Sequence, residues 1–450
     1  MVELTLSTEW IQAIRIRQKQ GLPEKIAEKT KLHIKDTVAI SLAAQKRAPT
    51  AHQSMLAMAM GASGTGKVIG SPMRLPPGHA AFCNTALAHA LDFDDINDLA
   101  RIHPTPISLA AALAAADAGK PPAIDLVTAV ALGNELLCRM GKAIEPKGVG
   151  ADANWFLSQL FGYFGAAITA GLVLGLTDEE LRHAIGLAYM QAAGGKEAGV
   201  GTGSQARSIY PAFASMGGVQ AALLASQGVT APSSSMDGPT GFFRIYFGQN
   251  LAKSQQSILL DTEIWVFADT SIKLFPSCRY SHPFIQAALL LRGKTEAQEI
   301  SRIVIGANET AAMLCRPLAE RCRPRTLQDA KFSIPFMVAF ALVHGRVDLN
   351  NLTEKALDDS NVLQLSSLIE IKPAQANFPG LPPGDIRIFT KSEEFHSVYS
   401  LSPDTDPNAV KDKFVQCCSA AEITLPEALW GQLTKQLDYD LADALVNYYK

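Results

Sequence analysis

FGYFGAAITAGLVLGLTDEELRHAIGLA, residues 161–188, is the stretch that says most about how this chain folds. It begins with an apolar helix, Phe161–Leu174, which ends at a glycine. Thr177 and Glu180 follow with the spacing of a capping box, a pair that satisfies free backbone N–H groups at a helix start, so a second helix is expected over Leu181–Gln191. Small residues in both helices let neighbouring axes approach closely. The stretch therefore predicts a large packed helical bundle.

Helical periodicity extends along most of the chain and gives way to strand-like patterns in one part of it. Residues 1–60 have the apolar spacing of two amphipathic helices, and residues 409–450 are helical again. Between these ends, Arg302–Ile305 and Asp385–Phe389 alternate in the manner of strands. We therefore expect a mainly α protein in two domains: an all-helical domain of residues 1–265 and 401–450, and an inserted α+β domain of residues 266–400.

The composition excludes several classes of protein. The 450 residues are 48% hydrophobic and carry a net charge of −3, so no broad basic surface is expected and nucleic acid is excluded as a partner. The seven cysteines are odd in number and form no CxxC pair, which favours reduced thiols and a cytoplasmic location. The Ala-rich stretch after Pro106 is shorter than the roughly 20 apolar residues of a membrane span, so no membrane association is expected.

The segment LDFDDINDLARIHP, residues 91–104, concentrates groups that can transfer protons. It holds four carboxylates followed by His103: Asp92, Asp94, Asp95 and Asp98. Pro104 restricts His103 to extended backbone conformations, and an imidazole ordinarily titrates near neutral pH, which suits acid–base catalysis. A solvated acidic loop is the alternative. Asp and His side chains also bind magnesium or iron, but the irregular spacing gives no support for a metal site and we expect none.

The segment IKLFPSCRYSHP, residues 272–283, concentrates positive charge. Lys273, Arg279 and His282 surround a Pro-Ser-Cys turn that contains Ser277. Cations grouped in this way bind carboxylates. The alternative is an ordinary basic turn at the surface. No sequence feature marks Cys278 as a nucleophile, so it is interpreted as a packed thiol.

A third segment, GVGTGSQARSIYPAFA, residues 199–214, combines a glycine-rich loop with two polar side chains. The glycines suit a close approach of backbone or ligand. Arg207 and Tyr210 lie three residues apart and would share one face of a helix. A plain connection between two helices is the alternative interpretation.

Taken together, these segments resemble the MmgE/PrpD family along nearly the whole chain. Besides the opening stretch, the most specific pieces are AHALDFDD with the following HP, GGVQAALLASQGVTAP, IKLFPSCRYSHP and DAKFSIPFMVAFALVHG. The family includes 2-methylcitrate dehydratase, cis-aconitate decarboxylase and iminodisuccinate epimerase. The resemblance implies a large all-α domain, a smaller inserted α+β lid domain, and a site in the cleft between them. It also implies a homodimer, a small polycarboxylate substrate, and no required metal or organic cofactor.

The resemblance also indicates which site residues this chain keeps and which it changes. Asp92, His103 and Lys273 match polar residues of the family's motifs. Five positions depart from the family pattern: Ile96 replaces threonine, Phe156 replaces histidine, Arg207 replaces lysine, Tyr210 replaces histidine, and Phe336 replaces tyrosine. Ile96 and Phe156 lose hydrogen bonding, and an arginine binds anions but does not readily give up a proton. We therefore expect a substrate that differs from the family's usual one and in which one substituent is less polar.

The reaction expected first is dehydration of a 2-methylcitrate-like polycarboxylate by a lyase. His103 would move the proton with Asp92 orienting its imidazole, while Asp94 and Asp95 would have a structural role beside this pair. Lys273 would stabilise an enediolate-like intermediate, and Tyr210 would be the second acid. The other residues expected at the substrate are Asp95, Ile96, Phe156, Arg207, Ser277, Arg279 and His282.

Two alternatives to dehydration stay open at this point. Epimerisation and decarboxylation of a related dicarboxylate or tricarboxylate would use the same groups, because each reaction acts at the carbon beside a carboxylate. A catalytically silent paralogue that serves as a binding or assembly subunit is the other hypothesis. Ile96 and Phe156 favour it, since both remove polar groups from the expected site.

Overall fold

The structure is a computed structural model that describes residues 5–119, 121–146, 153–199, 203–374, 381–402, 406–446 and 448. Its residues divide into two compact units. The first, here called the helical unit, comprises Met1–Glu197, Gln205–Ile272 and Asp404–Lys450. The second, here called the sheet unit, comprises Ala198–Ser204 and Lys273–Pro403.

Helices make up most of the described chain. In chain order they are α1 (Leu6–Gln20), α2 (Glu24–Arg47), α3 (Pro49–Ala59), α4 (Pro77–His89), α5 (Thr105–Ala116), α6 (Leu126–Ala143), α7 (Leu157–Val173), α8 (Asp178–Tyr189), α9 (Tyr210–Ser226), α10 (Phe242–Phe247), α11 (Lys253–Leu260), α12 (His282–Leu291), α13 (Glu309–Ala312), α14 (Leu318–Cys322), α15 (Leu327–Lys331), α16 (Ile334–His344), α17 (Ser360–Ser367), α18 (Pro407–Ala420), α19 (Pro426–Lys435) and α20 (Leu441–Val446).

The strands within the described residues are short and fall into three sheets. They are β1 (Gly66–Lys67), β2 (Arg74–Leu75), β3 (Ile96–Asn97), β4 (Thr270–Ser271), β5 (Arg302–Ala307), β6 (Ile369–Pro373), β7 (Gly384–Phe389) and β8 (Glu394–Tyr399). Within the helical unit, β1 pairs with β2 and β3 pairs with β4, both antiparallel. The sheet unit contains one four-stranded sheet in the order β6-β5-β7-β8.

The centre of the helical unit is a close contact between α7 and α9. A Cβ added to Gly218 would lie 2.5 Å from the Ala166 Cβ and 2.6 Å from the Tyr163 carbonyl oxygen. Gly162 faces Ala214 in the same way, with 2.8 Å between an added Cβ and the alanine Cβ. Alanine at either glycine would push the helices apart, so these small residues set the spacing of the bundle.

In the sheet unit, α12 and α16 pack together and α12 also covers the sheet. β5 runs parallel to β6 and antiparallel to β7, with Ile303 opposite Ile388 and Ile305 opposite Ile386. All four isoleucines are buried in the core of this unit. β8 forms an outer edge of this sheet, and exposed and half-buried residues alternate along it.

Several sequence predictions about the fold are confirmed. The chain is mainly α with a small sheet toward its C-terminal part, and the predicted strands at 302–305 and 385–389 are β5 and β7. The Thr177–Glu180 capping box is present and starts α8 at Asp178. Of the segment predicted to form two helices, the described residues 5–60 contain three, because Pro49 begins a new helix directly after α2. The predicted boundaries of the inserted domain, and its role as a lid, stay predictions.

Among the described residues, no helix is both long enough and apolar enough to span a membrane. The Ala-rich helix α5 is buried in the helical unit instead.

Candidate active site

The acidic segment, residues 91–104, connects α4 to α5 and is largely buried, although Asp98 is half-buried and Leu99 is exposed. Asp92, Asp94 and Asp95 are 2%, 0% and 1% exposed, which does not fit a solvated acidic loop. The segment turns sharply after α4, where the Asp92 N–H donates to the His89 carbonyl at 3.0 Å and Asp92 takes a φ of +54°. Residues other than glycine seldom adopt this left-handed conformation, so the turn is held by its surroundings.

Asp95 fixes the start of α5. One of its carboxylate oxygens accepts hydrogen bonds from His33 Nδ1 at 2.6 Å and from the Thr105 hydroxyl at 2.5 Å. The other accepts from the Thr105 N–H at 3.3 Å. Burial lowers the pKa of His33, so this imidazole donates as a neutral group. Asp95, which the sequence placed at the substrate, thus ties α2 to the first turn of α5.

Asp94 joins two histidines. Its Oδ2 lies 2.7 Å from His89 Nδ1 and 3.2 Å from His103 Nδ1, and the rings of His89 and His103 meet edge to face at 5.1 Å. Burial alone would raise the pKa of Asp94, but the charges and hydrogen bonds of His103 and His89 outweigh it and hold the pKa well below its usual range. Asp94 is therefore an ionised acceptor at neutral pH.

His89 is the more deeply buried of the two imidazoles. It is 0% exposed, and burial lowers its pKa despite the neighbouring Asp94. A neutral His89 donates from Nδ1 to Asp94, and its Nε2 has no hydrogen-bond partner among the residues that the structure describes. The ring packs edge-on against Tyr210 at 4.8 Å.

The hydrogen bonds of His103 define its tautomer. Nδ1 lies 2.8 Å from the Asp95 backbone carbonyl oxygen as well as near Asp94. A carbonyl oxygen accepts and cannot donate, so Nδ1 carries a proton. Nε2 is then the nitrogen that can take up or release a proton, and within the described ranges it has no hydrogen-bond partner. This is the arrangement of an imidazole held from one side for acid–base work on the other.

Tyr210 lies beside this imidazole pair. Ser158, whose hydroxyl accepts from the His103 backbone N–H at 2.9 Å, is a polar neighbour of the Tyr210 hydroxyl. Burial raises the pKa of Tyr210 to about 12, although Arg207 and Ser158 oppose the rise. The phenol therefore keeps its proton at neutral pH and can donate a hydrogen bond.

Phe156 and Arg207 complete the surroundings of Tyr210. The Phe156 ring stacks on Tyr210 with centroids 4.3 Å apart and an 18° angle between planes. The Arg207 guanidinium lies 5.3 Å from the Phe156 centroid and 5.7 Å from that of Tyr210. Phe156 and Tyr210, which both stand where the family resemblance indicates a histidine, thus form a stacked aromatic pair with a cation over it.

Ile96 lies in β3, directly after the buried acidic residues. It pairs with Ser271 of β4 and is half-buried. The next residue, Asn97, is buried and donates to the Val266 carbonyl at 3.0 Å. The β3–β4 pairing thereby anchors the part of the acidic segment that directly follows Asp95.

The positively charged segment, residues 272–283, belongs mainly to the sheet unit, and its predicted site residues are also buried. Lys273, Ser277, Arg279 and His282 are 2%, 0%, 6% and 1% exposed, so an ordinary surface turn does not fit. The Ser277 and Ser281 hydroxyls lie 2.8 Å apart, and His282 Nε2 lies 3.3 Å from the Ser277 carbonyl. Phe336 lies in the apolar core of the sheet unit. That this segment clamps carboxylates stays a prediction.

One group of side chains in the described residues has the composition of a metal site. His89, Asp94 and His103 bring ligand atoms to within 4.8 Å of one another. His103 Nδ1 faces the Asp95 carbonyl at 2.8 Å, so in this tautomer that nitrogen is protonated and is not a metal ligand. As the structure stands, the three side chains are joined by the His89–Asp94 hydrogen bond and by the 3.2 Å contact between His103 and Asp94.

Comparison with models of protein families identifies the family of this chain. Residues 8–255 match the MmgE/PrpD N-terminal domain, and residues 275–419 match the MmgE/PrpD C-terminal domain. The chain belongs to the MmgE/PrpD family. The resemblance that its sequence motifs indicate is thereby confirmed.

Relatives within the MmgE/PrpD family carry a common name. The cis-aconitate decarboxylase of Aspergillus terreus is 26% identical over 354 residues, which is 74% of this chain and 71% of the relative. The cis-aconitate decarboxylase of Homo sapiens is 27% identical over 328 residues, 69% of this chain and 65% of the relative. A cis-aconitate decarboxylase-like protein of Aspergillus oryzae is 28% identical over 321 residues, 66% of this chain and 65% of the relative.

The structure adds three residues to the site that the MmgE/PrpD motifs indicated. His89 and Ser158 were not among the predicted site residues, and Asp94 was assigned a supporting role. His89 lies inside the quoted AHALDFDD piece, so its place at the end of the helix before the acidic run is the signal that pointed to it. Asp94 contacts the His103 imidazole directly, a role that the sequence interpretation gave to Asp92.

Proposed function

We propose that this MmgE/PrpD protein is a lyase-type enzyme that removes carbon dioxide from a small unsaturated polycarboxylate by acid–base chemistry. The observation that carries the proposal is the His103 imidazole, which Asp94 and the Asp95 carbonyl hold at Nδ1. Its Nε2 keeps no hydrogen-bond partner among the described residues. The names of the relatives favour decarboxylation over the other reactions of the family.

Decarboxylation needs a proton donor and a means of holding negative charge. When the bond between carbon and carboxylate breaks, its electron pair stays on the substrate and spreads into the neighbouring double bond and carboxylate. A protonated His103 would deliver the proton to carbon from Nε2, and Asp94 would stabilise the imidazolium before transfer. The Tyr210 hydroxyl would donate a hydrogen bond to the oxygen on which charge develops.

Dehydration of a 2-methylcitrate-like hydroxy acid is the second candidate, and Tyr210 is the observation that supports it. In that reaction a neutral His103 would take a proton from carbon, while a second acid protonates the departing hydroxyl. Tyr210 keeps its proton at neutral pH because burial raises its pKa to about 12. Its ring packs edge-on against His89, which in turn meets the His103 ring, so the phenol lies beside the imidazole pair.

The stacked pair of Phe156 and Tyr210 supports a less polar substrate than one with three hydrogen-bonded carboxylates. An apolar ring next to the donor offers no hydrogen bond, and a buried carboxylate without partners is costly. Arg207, over the two rings, supplies one charge to which a carboxylate can bind. A substrate in which a methyl group or a hydrogen atom takes the place of one polar substituent fits this combination.

The purified chain should be incubated in deuterated water with cis-aconitate, with 2-methylcitrate, and with the methyl-substituted analogue of cis-aconitate. Decarboxylation predicts carbon dioxide release and one deuterium in the product, whereas dehydration predicts loss of water without carbon dioxide. Deuterium uptake with no change of skeleton would identify an epimerase. Absence of all three outcomes across the panel would contradict the proposed function and support the silent paralogue. A homodimer, which we also propose from the family resemblance, is tested by light scattering on the same sample.

A further inference from the structure

Lys413, on α18, reaches the acidic segment from the C-terminal part of the chain. Its Nζ lies 2.7 Å from Asp36 Oδ1 and 3.0 Å from Oδ2, and it donates to the Phe93 carbonyl oxygen at 2.7 Å. It also lies 3.9 Å from the centroid of the Phe93 ring. Lys413 and Asp36 are 2% and 1% exposed, so the pair is buried.

Phe93 is the residue between Asp92 and Asp94. Its carbonyl belongs to the peptide that continues into Asp94, and the residue before it, Asp92, has the left-handed backbone. A peptide plane held by a charged donor cannot rotate freely, and its orientation sets where the Asp94 side chain begins. Lys413 therefore fixes the backbone from which Asp94 meets His103.

Stability alone gives a weak reason for burying this pair. Removing two charges from water is costly, and apolar replacements of buried ion pairs are often neutral or stabilising. Burial raises the pKa of Asp36 to about 7, with Lys413 opposing the rise and with Asp95 and Asp94 adding to it. Lys413 thus places a buried cation against Asp36, a carboxylate that also feels the charges of Asp95 and Asp94.

We propose that Lys413 is a positioning residue, which acts through the Phe93 carbonyl to hold the Asp94 carboxylate against the His103 imidazole. This rests on the proposed function insofar as it takes His103 as the acid–base group. Lys413 lies in the C-terminal segment of the helical unit, outside every motif that indicated the site.

Lys35 provides a matched control on α2, next to Asp36 in sequence. It is 6% exposed, its Nζ donates to the Thr434 hydroxyl at 3.1 Å, and it lies 4.1 Å from the Trp430 ring centroid. Like Lys413, it is a buried lysine that joins α2 to the C-terminal helices. Its contacts lie on α19 and not on the acidic segment, so Lys35→Met measures the cost of loosening those helices.

The test compares Lys413→Met, Lys413→Gln and Lys413→Arg with Lys35→Met in the full chain. The first readout is the imidazole Nδ1–H proton of His103, observed by NMR with ¹⁵N-labelled histidine and assigned by its loss in His103→Gln. This signal reports the hydrogen bond to the Asp95 carbonyl and the contact with the Asp94 carboxylate, and it does not require turnover. The second readout is kcat and KM for the member of the cis-aconitate panel that the wild type converts best.

We expect Lys413→Met and Lys413→Gln to lose or broaden the Nδ1–H signal and to lower kcat by roughly 100-fold with KM little changed, since small misplacements of catalytic groups have effects of this size. Lys413→Arg should restore much of both, and Lys35→Met should change neither. If Lys413→Met fails to fold, Lys413→Gln decides the question.

Retention of the Nδ1–H signal in both neutral Lys413 variants would overturn the proposal, as would its equal loss in Lys35→Met. If the wild type converts no compound of the panel, the proposed function fails, yet the NMR comparison still decides the role of Lys413.

Discussion

His103 and Asp94 meet with His103 Nδ1 3.2 Å from Asp94 Oδ2, and the same nitrogen lies 2.8 Å from the Asp95 carbonyl. Two acceptors on one side of the imidazole fix its orientation and its tautomer. Nε2, on the other side of the ring, is thereby available for proton transfer.

Asp94→Asn should lower kcat more than Asp92→Asn does. The amide loses the charge that stabilises a protonated His103, so we expect a loss of roughly 100-fold, within the range for general acid–base groups. Both variants should be measured with the best substrate of the panel and checked for folding by circular dichroism. A larger loss in Asp92→Asn would return the orienting role to Asp92, as the sequence interpretation has it.

Tyr210→Phe should reduce kcat by roughly 100-fold while leaving the fold unchanged, since one hydrogen-bond donor to developing charge is removed. The phenyl ring keeps the stacking on Phe156, so the free energy of unfolding should change little. Because burial raises the pKa of Tyr210 to about 12, the pH–rate profile near neutrality should keep its shape in this variant. A profile that loses a limb would show that Tyr210 titrates during the reaction.

Phe156→His tests whether the aromatic pair selects the substrate. Restoring the family's histidine adds hydrogen-bonding groups beside Tyr210, so the ratio of kcat/KM for the more polar polycarboxylate over the methyl-substituted one should rise at least several-fold. Phe156→Leu is the control, because it removes the ring without adding polarity. An unchanged ratio in both variants would place Phe156 outside substrate selection.

His33→Asn should reduce the loss of stability in acid. Burial lowers the pKa of His33 in the folded state below its ordinary value of 6.5, so its contribution to the free energy of unfolding is complete above that value and is lost as the pH falls. An asparagine amide can still donate to Asp95 but cannot be protonated. Urea unfolding between about pH 8 and about pH 5 should show a slope reduced by at most about 1.4 kcal/mol per pH unit relative to wild type.

His89 contributes in the same direction as His33, since burial lowers its pKa too. Some acid sensitivity should therefore remain in His33→Asn. Equal slopes for wild type and variant would mean that His33 titrates normally in the folded protein.

Much of the fold follows from periodicity and caps in the sequence. The capping box at Thr177 and Glu180 places the start of α8, and alternation reveals β5 and β7 because their isoleucines face a core. β6 and β8 escape prediction because they are edge strands: only Ile369 of β6 is fully buried, and β8 has no fully buried residue. Without a buried face there is little alternation to detect.

The site follows from the sequence only in part. Spacing and family resemblance bring Asp92 and His103 together, but they cannot say which carboxylate of a run faces the imidazole. That depends on the left-handed turn at Asp92 and on the hydrogen bond from Lys413 to Phe93. Lys413 is distant in sequence and belongs to no motif, so only the folded chain reveals it.

His103 is, in this proposal, the acid–base group of a small-polycarboxylate lyase. The decisive experiment measures carbon dioxide release and deuterium incorporation from cis-aconitate and its methyl-substituted analogue, with wild type and His103→Gln side by side. We expect the wild type to turn over at least one of these compounds. We also expect His103→Gln, with an unchanged free energy of unfolding, to be slower by roughly 100-fold or more. Equal turnover by a folded His103→Gln would contradict it.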